Sequence, residues 1–135
     1  MSSPSPTASP ARLASAKIVA FVGTTQPERA KAFYAGTLGL QLVSEDGFAL
    51  VFDANGTMLR VSTVREIAAA QYTVLGWEVT DIVAKVNEMS QAGVQFERYS
   101  FPGQDDMGIW SAPGGARVAW FKDPDGNILS LSQHS

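Results

Sequence analysis

The sequence predicts an α+β fold in which two copies of one βαβββ unit share a single domain, and three observations carry that prediction. The stretch from Arg117 to Leu131, RVAWFKDPDGNILSL, reads as strand, turn and strand. Val118, Ala119, Trp120 and Phe121 are apolar or strand-favouring, and Asp-Pro-Asp-Gly supplies the fixed φ and the positive-φ position that a sharp reversal needs. An earlier stretch echoes it: Asp53-Ala-Asn-Gly-Thr-Met-Leu-Arg-Val matches Asp123-Pro-Asp-Gly-Asn-Ile-Leu-Ser-Leu position for position at an offset of 70 (123 minus 53). In both halves a short apolar strand is followed by a stretch with helical spacing of its apolar residues.

In chain order, residues 17–23 form the first strand, and Thr25-Gln-Pro-Glu opens a helix, with Pro27 near the first helical position and Glu28 where the helix dipole favours an acid. Ala30, Phe33, Tyr34 and Leu38 form its buried stripe and Gly39 its stop. Strands follow at 40–44, 48–53 and 57–63, with turns at Asp46-Gly47 and Asn55-Gly56. Residues 64–71 connect the halves and are helical by propensity. The second unit repeats the order, with a strand at 72–79, a helix at about 81–92 turning Ile82, Val86 and Met89 inward, and strands at 94–99, 117–122 and 127–132. First strands align at an offset of 55 and last strands at 70, so about fifteen extra residues sit within 99–116. Such a Gly-, Pro- and Asp-rich insertion with one large aromatic, Trp110, is either a loop bordering a ligand or a longer strand pair with Trp110 on the core.

A chain of 135 residues, 45% hydrophobic and 17% charged, suits one compact domain. We expect a flexible Ser/Pro-rich tail over residues 1–15 and a domain over 16–135, with its two modules at about 17–63 and 72–133. A net charge of −3 offers no basic surface for a phosphate backbone, so nucleic acid is not an expected partner. No cysteine means no disulfide, thiolate metal site or cysteine nucleophile. Without a signal-like start or a long apolar run, the expectation is a cytoplasmic protein with no membrane partner.

Three stretches, PERAKAFYAGTLGL, LGWEVTDI and AWFKDPDGNILSL, stand in this order across roughly residues 17–133 and resemble the vicinal oxygen chelate superfamily. That superfamily includes glyoxalase I, bleomycin-resistance proteins, fosfomycin-resistance enzymes and extradiol dioxygenases. The resemblance implies two βαβββ modules forming a cup-shaped mixed sheet whose concave face holds a ligand, in a homodimer. It also implies metal ligands, normally His, Glu or Gln, at positions that fall here on Val19, Arg60, Val74 and Ser130. Valine has no lone pair, arginine is a fixed cation and serine is a weak neutral donor, so the set does not suit a divalent metal. The single histidine, His134, reads as a tail residue. No metal and no cofactor are expected.

Strand alternation puts Val19, Phe21, Met58, Arg60, Ser62, Val74, Gly76, Glu78, Ile128, Ser130 and Ser132 on the ligand face. Ile18, Ala20, Val22, Leu59, Val61, Leu75, Trp77, Val79, Leu129 and Leu131 fall on the helix side. The register of Trp120 is open, and Asp123, Asp125 and Gly126 are explained by the turn. The candidate ligand-binding residues are Phe21, Met58, Arg60, Ser62, Glu78, Trp110 and Ser130. Arg60 could grip an anionic group in a bidentate contact, while Glu78, the candidate catalytic residue, could accept from a ligand or act as a base. In the empty protein Arg60 and Glu78 are expected to pair with each other, because either charge buried alone costs on the order of several kcal/mol. The leading expectation is metal-independent binding of a small, partly apolar, anionic molecule. The alternative is a lyase, isomerase or dioxygenase of the same superfamily that uses a non-standard metal site or Glu78 as acid–base group.

Overall fold

The computed structural model describes residues 12–99 and 102–134, so most of the expected N-terminal tail and the insertion residues 100 and 101 lie outside the described residues. The first unit comprises β1 (Val19–Thr24), α1 (Pro27–Lys31), β2 (Gln41–Glu45), β3 (Ala49–Ala54) and β4 (Thr57–Thr63). Pro27 opens α1 as its fixed φ allows, and the helix continues as a π-helical segment, Ala32–Thr37, whose wider turn is closed by Leu38 N donating to Phe33 O at 2.8 Å. The second unit comprises β5 (Thr73–Glu78), α2 (Ile82–Gln91), β6 (Trp110–Ser111), β7 (Arg117–Lys122) and β8 (Ile128–Gln133). Asp81 caps α2, accepting from Ala84 N at 3.1 Å.

Each unit forms a four-stranded mixed sheet, in the orders β1-β4-β3-β2 and β5-β8-β7-β6, with β1 parallel to β4 and β5 parallel to β8. The inner edges β1 and β5 lie against each other. Both sheets turn one face to a shared core that includes Val22, Leu59 and Val61 from the first and Phe121, Leu129 and Leu131 from the second, with Tyr34, Ile82 and Val86 from the helical segments. The alternation read from the sequence is the alternation of burial along β4, while in β8 Ser130 is buried like Leu129 and Leu131 on either side of it.

Four expectations need correction. Residues 94–99 do not form a strand; they make a single bridge, Phe96 to Phe121, because the position beside β7 is shared with β6, where Trp110 pairs with Val118. The connector 64–71 contains no helix. Ile18 precedes β1 and is 77% exposed, instead of facing the helices. In β5 the register jumps between Thr73, opposite Ile128, and Leu75, opposite Leu129, so Val74 is a bulged residue without a partner position on β8.

The two echoing turns also differ. In the first, Asn55 and Gly56 alone separate Ala54 from its partner Thr57, with φ of 52° and 92°, as a type I′ reversal requires. In the second, five residues, Asp123 to Asn127, separate the paired Lys122 and Ile128. Phe52 faces Leu59 and Phe121 faces Leu129, so the last strands keep the offset of 70 while the strands before them are offset by 69.

The longer loop clasps the two units together. Asp125 Oδ1 accepts from Thr25 N at 2.9 Å and Thr25 Oγ1 at 2.8 Å, and Asp125 Oδ2 accepts from Thr24 Oγ1 at 2.5 Å. Asn127 Nδ2 donates to Gly23 O at 3.0 Å, and the buried Tyr34 hydroxyl donates to Asp123 Oδ2 at 2.6 Å. Burial, with the Asp123 charge beside it, pushes the Tyr34 hydroxyl far above its ordinary range, which keeps it a donor.

Burial alone would raise the Asp125 carboxyl, but the hydrogen bonds from Thr24 and Thr25 outweigh it and hold the group below the usual carboxylate value. A carboxyl depressed in the folded state adds stability above its unfolded pKa, about 3.9, and that stability is lost as the pH falls through the folded value. Urea denaturation at pH 7 and at about pH 3 should therefore show a larger acid loss in the parent protein than in Asp125→Asn. Equal losses would contradict the role assigned to this carboxylate.

Candidate functional site

With one face of each sheet in the core, the candidate residues fall on the other. On the first sheet Phe21 of β1 sits directly beside Arg60 of β4, which sits beside Val51 of β3; Met58 and Ser62 flank Arg60 along the strand. Phe21 is 61% exposed and Met58 44% exposed, so Arg60, half-buried, stands between open apolar side chains. No ion pair ties Arg60 to Glu78 or to any other acid among the described residues, against the sequence expectation. The two residues stand on different sheets, β4 and β5, each sheet with its own register. The carboxylate that feels Arg60 is Asp46, held below the ordinary value chiefly by the backbone N–H groups of Phe48 and Ala49, with Arg60 adding to the effect.

On the second sheet two cross-strand rows are built. One runs Gly76, Ser130, Trp120; the other runs Glu78, Ser132, Val118, Trp110. Register thus places Trp120 on the open face and gathers Ser130, Glu78 and Trp110 there with it. Ser130 is buried against Gly76, where an added Cβ would lie 2.6 Å from its Oγ. Glu78 is exposed at the end of β5 and also borders a crevice of about 240 Å³ on the helix side, where Lys85 and Met89 are its neighbours.

Two aromatic residues on this face were not among the candidates. Tyr99 meets the Trp120 ring edge-on at 5.5 Å, and Trp120 lies 6.1 Å from Trp110. The insertion borders the open face with Trp110, which stands on the short edge strand β6 beside Trp120 and not in the shared core, so the reading of Trp110 on the core needs correction.

A divalent metal does not fit the residues present. Among the described residues no group of three or more His, Asp or Glu side chains is gathered closely enough to hold one. Arg60 carries its cation at one of the four positions where the resemblance expects a ligand, and Val74 is the bulged residue. Asp123 and Asp125 are engaged in the clasp. Among the described residues no helix is long and apolar enough to cross a membrane.

This arrangement of strands is shared with solved structures. The chain is similar to TioX from Micromonospora sp. ML1, at 17% identity and a TM-score of 0.67, covering 89% of this chain and 99% of that one. A glyoxalase/bleomycin resistance protein/dioxygenase from Alicyclobacillus acidocaldarius matches at 17% identity and a TM-score of 0.66, with 91% and 94% covered. Lactoylglutathione lyase from Agrobacterium tumefaciens matches at 20% identity and a TM-score of 0.63, with 88% and 93% covered. At these identities the likeness is one of fold. No curated protein matches the chain. A family model, in contrast, matches nearly the whole of the paired βαβββ arrangement, over residues 16–131, and the chain belongs to the Glyoxalase/Bleomycin resistance protein/Dioxygenase superfamily.

Proposed function

We propose that this chain binds a small, partly apolar molecule bearing one anionic group, without a metal, on the open faces of its two sheets. The observation that carries the reading is Arg60: a half-buried guanidinium with no acid paired to it among the described residues, set between the exposed Phe21 and Met58. A guanidinium is planar and presents parallel N–H donors, so it suits a carboxylate or a related oxyanion, while the apolar neighbours accept the rest of the molecule. Ser62, Ser130 and Glu78 supply further polar contacts. The exposed Val19, Phe21 and Met58 support a homodimer closing over this face, and the reading is of a cytoplasmic protein.

Hydrogen bonds to charged groups are worth about 1.5–3 kcal/mol, so Arg60→Ala should weaken binding of an anionic ligand roughly ten- to hundredfold while leaving the thermal midpoint nearly unchanged. Calorimetric titration with a panel of aromatic and aliphatic carboxylates tests this. An unchanged affinity in Arg60→Ala removes the role given to that residue.

A further inference from the structure

The crevice of about 240 Å³ on the helix side lies where the two units meet. The first unit supplies Leu38 and Leu40, on either side of Gly39, whose φ of 76° turns the chain out of the π-helical segment. The second supplies Trp77 of β5, Val79 just beyond it and Met89 of α2, while the buried Phe121 and Leu131 close the crevice toward the core. Trp77 is held in place by stacking on Phe121 at 6.4 Å. The two remaining lining residues carry opposite charges: Glu78, exposed at the end of β5, and Lys85, which shares a face of α2 with Met89 one turn on.

These features select an occupant. Apolar walls favour an apolar group over water. The two charges at the rim are not paired with each other: no ion pair ties Glu78 to a cation among the described residues, and Lys85 Nζ donates to Glu88 Oε1 at 2.9 Å. That contact joins two exposed side chains on one helix, an arrangement that contributes little, so a ligand carboxylate competes for the ammonium at small cost. A ligand with a single charge meets a like charge at this rim, whereas one carrying an ammonium and a carboxylate is complementary to both. Size narrows the choice further. The crevice is smaller than the roughly 300–1,000 Å³ of pockets for drug-sized molecules, and at about 30 Å³ for each water-sized group it holds about eight. A stable protein interface takes roughly 20–30 residues a side, far more than the nine that line this crevice.

We propose that this crevice binds a free α-amino acid with an aliphatic or thioether side chain, its ammonium at Glu78, its carboxylate at Lys85 and its side chain against Trp77, Leu40 and Met89. The site is on the helix side, away from the open face that carries Arg60, and it does not rest on the reading given to that residue.

The test uses the full chain and three matched probes: L-leucine, 3-methylbutylamine, which lacks its carboxylate, and 4-methylpentanoate, which lacks its ammonium. Binding is read by calorimetry, by the methionine methyl resonances and by the indole N–H resonances of the three tryptophans. We expect L-leucine to shift the Met89 and Trp77 signals but not those of Trp110 and Trp120. Glu78→Gln and Lys85→Gln, both at solvent-accessible side chains, should each weaken L-leucine binding about tenfold while keeping a thermal midpoint near that of the parent. In Arg60→Ala, which removes the anion site of the open face, L-leucine should bind as in the parent and about tenfold or more tightly than either single-charge probe. No binding of L-leucine, an affinity matched by either single-charge probe in Arg60→Ala, or no loss in Glu78→Gln and Lys85→Gln would overturn the proposal. So would L-leucine binding that Arg60→Ala abolishes, which would move the amino acid to the open face. The two readings fail separately: 4-methylpentanoate binding that depends on Arg60, without binding of L-leucine, keeps the anion site and removes this one, and the reverse result keeps this one and removes the anion site.

Discussion

Asp123→Ala is expected to cost about 3–5 kcal/mol, the range for removing one partner of a buried charged network. Asp123 is buried, and its two oxygens collect four donors. Oδ1 accepts from Asp125 N at 3.0 Å and Asn127 N at 2.9 Å; Oδ2 accepts from the Tyr34 hydroxyl at 2.6 Å and Asn127 Nδ2 at 2.8 Å. Truncation leaves these groups facing a void, and an unmade bond at a buried polar group is more costly than the net gain from making one. It also releases the loop that holds β1 and the helical segment of the first unit to the β7–β8 hairpin of the second. Tyr34→Phe removes a single donor to a charged acceptor and should cost about 1.5–3 kcal/mol. Urea denaturation of both single variants and the double variant measures the coupling, and the double should cost clearly less than the sum because the two groups share a bond. A loss below about 1 kcal/mol for Asp123→Ala would mean that the loop is only a turn.

Phe121→Ala is expected to cost a further-reaching 3–5 kcal/mol or so, the usual range for emptying a fully buried phenylalanine site. Its ring is fully buried, stacked on Trp77 at 6.4 Å, edge-on to Phe96 at 5.5 Å and tilted against Phe33 of the first unit at 6.5 Å. Three separate stretches of chain would lose contacts to one cavity, and none can collapse into it without moving a sheet or the π-helical segment. Phe121→Leu keeps most of the volume and should cost less than the truncation, since partly conserving size limits the cavity. Equal stability of the alanine variant and the parent would contradict the placement of this side chain in the shared core.

Much of the fold was legible because the two periodicities are clean. In the middle of β4 and β8 a polar residue, Arg60 or Ser130, separates two apolar ones, so Leu59, Val61, Leu129 and Leu131 could be assigned to the core from the sequence. Asn-Gly and Asp-Pro-Asp-Gly mark their turns by residue chemistry alone. Along β7 the signal fails, because Val118, Ala119, Trp120 and Phe121 are all apolar and a period of two gives no answer. Extending the repeat at a constant offset of 70 gives the wrong one. It pairs Trp120 with Leu131 and puts the indole in the core, whereas the extra loop residue pairs Trp120 with Ser130 and puts it on the open face. A shift of one residue exchanges the faces of a strand. The same limit hid Tyr99, which lies at the start of an insertion with no counterpart in the first unit, and the reduction of the expected strand at 94–99 to a bridge, with β6 of the insertion sharing the position beside β7. The bulge at Val74 left no mark either, since a valine fits both a regular strand and a bulge.

Within the candidate site, residue type told more than position. Arg60 and the apolar residues around it were readable from strand parity, but the absence of an acid ion-paired to it among the described residues was not, because the sequence does not say that Arg60 and Glu78 stand on separate sheets. The clasp was partly readable: turn chemistry accounts for Asp123, Pro124 and Gly126, while the task of Asp125, held by Thr24 and Thr25 about a hundred residues away, exists only in the folded chain.

Metal content per chain is the measurement that bears most directly on the proposed function. Protein purified without chelators and then equilibrated in turn with zinc, nickel, manganese and iron should hold far less than one ion per chain in every case, and carboxylate binding should be unchanged by their removal. Near-stoichiometric retention of any one of them, with ligand binding lost when it is stripped, would contradict metal-independent recognition by Arg60.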